Sequence, residues 1–150
     1  MGLDEIKNFI PLGDRIATAG QPTEAQLSEV AAKGFGVVIN LGLLDPRYCL
    51  PDEGGVVAAL GMRYQHIPVR FDAPTPDDFD LFVATMDDAA DERVFVHCAL
   101  NYRVASFMAL YGELRLGWTV EQATTHVRRV WEPNEVWQHF ASGCREAINR

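Results

Sequence analysis

Short apolar segments alternate with amphipathic ones along this chain, and the two kinds differ in period. The segments "RIATAG", "FGVVINLG", "MRYQHIPV" and "RVFVH" are short and rich in β-branched residues, and "FGVVINLG" is apolar on both faces, as a buried parallel strand is. Helical spacing predicts helices over "TEAQLSEVAAKG", "VVAALG" and "DDFDLFVATMDDA". Strands separated by helices indicate an α/β fold, a mostly parallel central sheet flanked by helices.

Capping residues predict where several of these helices begin and end. The predicted N-terminal caps are Thr23 with Gln26, Thr75 with Pro76 and Asp78, and Thr119 with Gln122. After "RVFVH", apolar residues at helical spacing start at Tyr102, and Gly117 is placed to end that helix. Pro133 is expected to open the last helix, "PNEVWQHFASGCREAI".

Composition narrows the class of protein. A chain of 150 residues is expected to form one domain, residues 1–150, with a real core. Its formal charge of −8, from 21 acidic and 13 basic residues, argues against nucleic acid as a partner. No apolar run is long enough to span a membrane and no secretory signal is visible, so we expect a soluble, cytoplasmic protein. The 3 cysteines form no CxxC pair, which predicts reduced thiols rather than a disulfide framework or a zinc ribbon.

Candidate chemistry lies at the end of the "RVFVH" strand, in "HCALNYR". Cys98 follows a buried-type strand, four residues separate it from Arg103, and a helix begins near the arginine. Backbone N–H groups of such a loop, together with the helix N-terminus, make an anion site that favours thiolate over thiol. Arg103 can hold an oxyanion in a bidentate fork. The alternative is a buried structural thiol followed by a surface arginine.

Two neighbours of Cys98 are expected to shape this loop. Asn101 is the loop residue best able to adopt a left-handed conformation where no glycine is present. His97 could orient the loop by hydrogen bonding to its backbone. Tyr102 either lines the wall of the site or packs against the turn.

The stretch "VHCALNYR" resembles the signature of the cysteine-based protein tyrosine and dual-specificity phosphatases, in which a His-Cys pair leads into a phosphate loop ending in Arg. "DRIATAGQPTEAQLSEVAAKGFGVVINL" and "GMRYQHIPVRFDAPTP" are similar to a bacterial group of phosphatase-like proteins of unknown function. The resemblance covers roughly residues 10–116. It implies a dual-specificity-phosphatase-like fold and a phosphate-binding loop formed by Cys98, Ala99, Leu100, Asn101, Tyr102 and Arg103.

The loop departs from the usual phosphatase pattern in three respects. It has four residues between Cys and Arg instead of five, it has no glycine, and Val104 replaces the hydroxyl residue that follows the arginine. Ser106 is the nearest hydroxyl on the helix. The bacterial group shares the short loop. A four-residue spacing also fits rhodanese-type sulfurtransferases, which carry a persulfide on the cysteine, so sulfur transfer is a second hypothesis.

The resemblance implies a general acid ahead of the helix that precedes the Cys98 strand. Asp77, Asp78 and Asp80 have a structural explanation there, because carboxylates suit the first turn of a helix. Asp72 has no such duty and is the preferred candidate. Asp45 and Glu53, in the loop "LLDPRYCLPDEGG", are the alternatives.

Other conspicuous residues have mainly structural interpretations. They are Cys49 and Cys144 as ordinary thiols, His66 as a strand residue with satisfied hydrogen bonds, His126 and His139 as helix residues without partners at metal-ligand spacing, and Trp131 and Trp137 as residues that pack the last helix.

The resemblance implies hydrolysis of phosphomonoesters through a cysteinyl-phosphate, with no metal or organic cofactor. The expected partners are a phosphorylated small molecule, lipid or protein, and a phosphate or sulfate anion at the loop. A catalytically silent anion-binding module is the third hypothesis.

Overall fold

The computed structural model describes residues 2–149. A turn of 3-10 helix over Leu3–Glu5 precedes the first strand. The strands are β1 (Ile10–Leu12), β2 (Ile16–Ala19), β3 (Val37–Asn40), β4 (Arg63–His66) and β5 (Val94–His97). The helices are α1 (Glu24–Ala32), α2 (Glu53–Ala59), α3 (Pro76–Asp88), α4 (Tyr102–Arg115), α5 (Val120–Arg128) and α6 (Glu135–Ile148).

The five strands form one sheet in the order β1-β2-β5-β3-β4. Strand β1 runs antiparallel to β2, and the other neighbours are parallel. Every residue of β2, β3 and β5 is buried, whereas β4 at the edge has exposed or partly exposed residues. The α/β class and the mostly parallel sheet are therefore as the sequence predicts, and β5 lies in the centre of the sheet.

Alternation along the strands divides the core between the two faces of the sheet. Val94 and Val96 of β5 pack with residues of α3, α4 and α6 on one face. Phe95 points to the other face and packs with residues of α1 and α2. Because side chains alternate, His97 follows Phe95 onto the α1 and α2 face. This alternation determines which side chains surround the end of β5, where Cys98 follows His97.

Local capping signals place the helices well. The capping boxes at Thr23, Thr75 and Thr119 are present, with each threonine accepting from the backbone N–H three residues on. Helix α4 begins at Tyr102 and is followed by Gly117 in a left-handed conformation, both as predicted.

Two helix starts and one additional strand differ from the sequence expectation. Pro133 does not open the last helix, because Asn134 caps it with its side chain and α6 starts at Glu135. Helix α2 begins at Glu53 rather than at Val56, because Asp52 accepts from the N–H of Gly55 and starts the turn early. Strand β1 has no counterpart among the predicted elements, since a three-residue edge strand with a central proline carries little periodic signal.

Candidate active site

Cys98 lies at the carboxyl end of the central strand β5, at the point where the chain turns into α4. The residue is fully buried, and its N–H donates to the Ala19 carbonyl at 3.4 Å. The turn is completed by Asn101, whose φ of 70° is in the left-handed region, as the sequence predicts. Its amide group does not cap α4 but donates to the Asn8 carbonyl at 2.8 Å and to Thr18 Oγ1 at 3.2 Å.

The carbonyl groups of this loop are held by residues outside it. The carbonyl of Cys98 faces His97 Nδ1 at 3.1 Å, that of Ala99 accepts from the Gln21 N–H at 2.9 Å, and that of Leu100 accepts from Asn8 Nδ2 at 2.8 Å. In a trans peptide the following N–H points away from the carbonyl. The N–H groups of the next residues in the loop are thereby turned in the opposite direction, towards the space enclosed by the turn.

Those N–H groups have no acceptor of their own. Among residues 2–149, no hydrogen bond uses the N–H of residues 99–103, the last two of which also form the N-terminus of α4. Successive N–H groups without a protein acceptor, next to a helix N-terminus, are typical of an anion cradle. We call residues 98–103 the cradle loop.

Arg103 is built into the same site. The residue is only 6% exposed, and Nη1 donates to the Val69 carbonyl at 2.9 Å. Its Nε is buried and has no hydrogen-bond partner within residues 2–149. A guanidinium held in this way through Nη1 keeps a donor available for an oxyanion. The structure therefore contradicts the interpretation of Arg103 as a surface residue.

Gly20 allows the cradle loop to approach the end of β2. A Cβ at this position would lie 2.5 Å from the Ala99 carbonyl oxygen and 3.1 Å from Leu100 Cα. Glycine is therefore required here because a side chain would clash with the backbone of the cradle loop. The Gly20 N–H also donates to the Lys7 carbonyl at 2.7 Å. Sequence reasoning assigned no role to Gly20, Gln21 or Asn8, and the only signal for the first two was the family-like stretch "GQPTEAQ".

His97 connects the cradle loop to a buried carboxylate. Its Nδ1 faces the Cys98 carbonyl, as predicted, and its Nε2 faces Glu53 Oε2 at 2.6 Å. The other Glu53 oxygen accepts from Gln21 Nε2 at 2.7 Å. Burial raises the pKa of Glu53. Hydrogen bonds from His97 and Gln21, together with the charge of His97, lower it by more than burial raises it, so the pKa lies below its ordinary value.

The acids considered as proton donors occupy different environments. Glu53 is buried with both oxygens engaged, which takes it away from the mouth of the site. Asp45 accepts from the backbone and side chain of Arg47 within its own turn. Asp72 is 72% exposed and paired with Arg70 at 2.9 Å, and this hydrogen bond lowers its pKa. Asp72 directly follows Phe71, whose ring lies 6.0 Å from the Arg103 guanidinium carbon.

Aromatic side chains border Arg103. Tyr102 stacks on Trp131 with ring centroids 4.8 Å apart, and Phe71 lies 6.4 Å from Tyr102. Trp137 is buried and donates from Nε1 to the Phe71 carbonyl at 2.8 Å. Trp137 thus packs α6 onto the domain, as predicted, and it also fixes the segment that carries Asp72. Tyr102 packs against Trp131 beside the cradle loop.

The Ser106 hydroxyl makes no hydrogen bond to the cradle loop within residues 2–149. Ser106 is buried, its hydroxyl has no partner within residues 2–149, and it lines a cavity of about 460 Å³ together with residues of α5 and α6. None of residues 97–103 lines that cavity. Val104, in the place of the family hydroxyl, is fully buried in the core.

Cys144 and His126, for which the sequence predicts structural roles, are both buried. Burial raises the pKa of the Cys144 thiol to about 11. His126 is buried, its ring centroid lies 5.4 Å from that of Trp118, and neither ring nitrogen has a hydrogen-bond partner in the described chain. Within residues 2–149, no group of three or more His, Cys, Asp or Glu side chains could hold a metal ion. In the same part of the chain, no helix has both the length and the apolar character needed to cross a membrane.

Solved structures with this fold identify the class. A DUF442 protein from Shewanella putrefaciens CN-32, classed as a candidate phosphatase, is 31% identical, with 97% of this chain and 96% of that one covered at a TM-score of 0.86. P. aeruginosa TpbA in complex with pTyr is 14% identical, with coverage of 95% and 91% and a TM-score of 0.74. The core catalytic domain of the PP-IP phosphatase SIW14 from S. cerevisiae, in complex with citrate, is 12% identical, with coverage of 96% and 92% and a TM-score of 0.76.

The fold is therefore that of the cysteine-based dual-specificity and protein tyrosine phosphatases. The chain belongs to the family of DSP-PTPase phosphatases fused to NAD+ kinase, whose model matches residues 12–136. Among curated proteins, none matches the chain.

Proposed function

We propose that this protein hydrolyses phosphomonoesters through a cysteinyl-phosphate on Cys98. The observation that carries the proposal is the cradle loop around the buried Cys98. Its carbonyl groups at residues 98–100 are hydrogen-bonded to residues outside the loop, and the N–H groups of residues 99–103 have no acceptor within residues 2–149. Arg103 adds an unpaired buried Nε to the same site. These donors suit the oxygens of a phosphoryl group and its transition state.

The proposed reaction has two steps. The Cys98 thiolate attacks phosphorus, the bond to the ester oxygen breaks, and Asp72 donates its proton to that oxygen. Asp72, now ionised, takes a proton from water, the resulting hydroxide attacks phosphorus, and the thiolate leaves with release of inorganic phosphate. Loop amides and Arg103 hold the three other oxygens in both steps. All of these groups belong to the chain, and no cofactor is required.

Asp72 is the acid that the surroundings favour. It is exposed and lies next to Phe71 beside Arg103, so it can reach the ester oxygen of a bound substrate. Its pairing with Arg70 lowers its pKa, so proton donation requires this contact to loosen when substrate binds.

The substrate class is open between several phosphoesters. Structural neighbours bind pTyr or act on PP-IP, and the family model is of a phosphatase fused to NAD+ kinase. A first panel therefore contains p-nitrophenyl phosphate, phosphotyrosine, phosphoserine, a phosphoinositide and NADP+. The aromatic groups around Phe71 and Tyr102 would contact the organic part of the substrate.

The test is phosphate release by wild type and by Cys98→Ser, with Cys49→Ser as the matched control. Release that is lost in Cys98→Ser and kept in Cys49→Ser supports the proposal. Protection of Cys98 by phosphate against alkylation with iodoacetamide would establish anion binding at the cradle loop. Protection without turnover would instead indicate a silent anion-binding module, for which the buried Val104 is the favouring feature. Thiocyanate production from cyanide and thiosulfate would favour sulfur transfer.

A further inference from the structure

The His97 ring lies between two hydrogen-bond acceptors. Nδ1 faces the Cys98 carbonyl oxygen at 3.1 Å, and Nε2 faces a Glu53 carboxylate oxygen at 2.6 Å. A neutral imidazole carries one N–H and can donate to only one of these groups, whereas an imidazolium donates to both. The geometry therefore fits a protonated His97 paired with an ionised Glu53.

The carboxylate is held in the ionised form by more than His97. Gln21 Nε2 donates to its second oxygen at 2.7 Å, and Gln21 itself is buried. His66 on β4 also contributes a charge that lowers the pKa of Glu53. Burial, with a smaller contribution from the Glu53 charge and that of Cys49, raises the pKa of Tyr64 on β4 to about 12. Tyr64 therefore stays neutral, and within residues 2–149 His97 is the basic side chain that lies at hydrogen-bond distance from the Glu53 carboxylate.

A buried ion pair is an expensive way to stabilise a fold. Removing two charges from water often costs more than their attraction returns, and well-packed apolar side chains are commonly as stabilising. Here the pair lies directly beneath the residue that would carry the reactive thiolate, and one end of it is bonded to that residue's own carbonyl group. Its position is thus better explained by the charge at Cys98 than by stability.

We infer that Glu53 is a positioning residue that keeps His97 protonated and so supports the thiolate form of Cys98. This inference rests on the proposed function, in which that thiolate is the nucleophile. In Glu53→Gln the imidazolium loses its counter-ion and releases its Nε2 proton to solvent. The neutral ring keeps the Nδ1 hydrogen bond to the Cys98 carbonyl, but the positive charge beneath the cradle loop is gone. Arg103 and the loop amides remain as the other groups that favour the thiolate.

The experiment titrates the Cys98 thiolate by its absorbance at 240 nm, with Cys98→Ser subtracted. We expect Glu53→Gln to raise the midpoint by about one pH unit, a tenfold lower thiolate-to-thiol ratio on the rising limb. Asp52→Asn is the matched control, because it removes the same charge from the adjacent residue, whose side chain is exposed and can still cap α2 as asparagine. Its midpoint should equal that of wild type. An unchanged or lowered midpoint in Glu53→Gln overturns the inference.

A second measurement needs no variant and so does not depend on Glu53→Gln folding. In wild type labelled with ¹⁵N-histidine, both ring nitrogens of His97 should carry protons at neutral pH, and a neutral tautomer would overturn the inference. Neither measurement requires turnover. If the protein is inactive but shows the raised Cys98 midpoint in Glu53→Gln and the doubly protonated His97, only the proposed function is refuted. If the protein is active but its Cys98 midpoint is the same in Glu53→Gln as in wild type, only the role of Glu53 is refuted.

Discussion

Gly20→Ala is the sharpest test of how the cradle loop is built. The added Cβ would lie 2.5 Å from the Ala99 carbonyl oxygen, and ordinary contacts begin at 3.4 Å. The loop or the end of β2 must therefore move by roughly 0.9 Å, a shift that in packed interiors costs about 1–3 kcal/mol. The hydrogen bond from the Gln21 N–H to the same carbonyl, 2.9 Å long, would be distorted by this movement.

Gly20→Ala should also weaken anion binding. A hydrogen bond to a charged group contributes about 1.5–3 kcal/mol, so turning one loop amide away lowers phosphate affinity by at least about tenfold. Isothermal titration calorimetry with inorganic phosphate measures this loss, and urea unfolding measures the loss of stability.

Gly143→Ala is the matched control for Gly20→Ala. Gly143 lies within α6, and a Cβ there would meet no atom within 4 Å outside its own helix backbone. Alanine in a helix interior should stabilise the protein by up to about 1 kcal/mol, the opposite sign, with phosphate affinity unchanged. If Gly20→Ala binds phosphate as tightly as wild type and is equally stable, the account of the cradle loop is wrong.

Replacing Arg103 by lysine removes the guanidinium that donates to the Val69 carbonyl. Lysine cannot bind phosphate through two parallel N–H groups, so phosphate affinity measured by calorimetry should fall about tenfold or more. Equal affinity would contradict bidentate binding of phosphate by Arg103. Burial and the charge of Arg129 lower the pKa of His126 to about 4, below its unfolded value of about 6.5, so stability is lost as pH falls through this window. Wild type should lose about 2 kcal/mol of unfolding free energy between pH 7 and about pH 5, and His126→Leu should not, as measured by urea unfolding. Arg70→Gln removes the hydrogen bond that lowers the pKa of Asp72, so the alkaline limb of kcat/KM should move to higher pH, and an unmoved limb would argue against Asp72 as the acid.

The features that the sequence predicts correctly are local ones. Capping at Thr23, Thr75 and Thr119 depends on bonds across three residues, and the left-handed turn at Asn101 depends on the residue itself. The cradle loop could be predicted for the same reason, because the strand end, the turn and the helix start are consecutive in the chain.

The residues that sequence reasoning missed act at a distance along the chain. Asn8 bonds to Leu100 across 92 residues, and Glu53 reaches His97 across 44. The local sequence around Asn8 or Glu53 does not predict such a hydrogen bond. The bond forms only because the order of strands in the sheet brings each residue close to the end of β5. Glu53 was noticed as an acid near the right sheet edge, but its burial and its partner depend on where α2 starts.

The fastening of the cradle loop to residues 7–21 has a consequence for the persistence of the site. Lys7 and Asn8 bond to Gly20, Leu100 and Asn101, so partial opening of this N-terminal segment would release the loop while β5 stays paired with β3. Such sub-global openings occur at a lower free energy than complete unfolding. The lifetime of a competent site is therefore limited by the opening of this segment. Amide hydrogen exchange at Gly20 and Gln21, whose N–H groups donate to the Lys7 and Ala99 carbonyls, should follow its rate rather than that of the core.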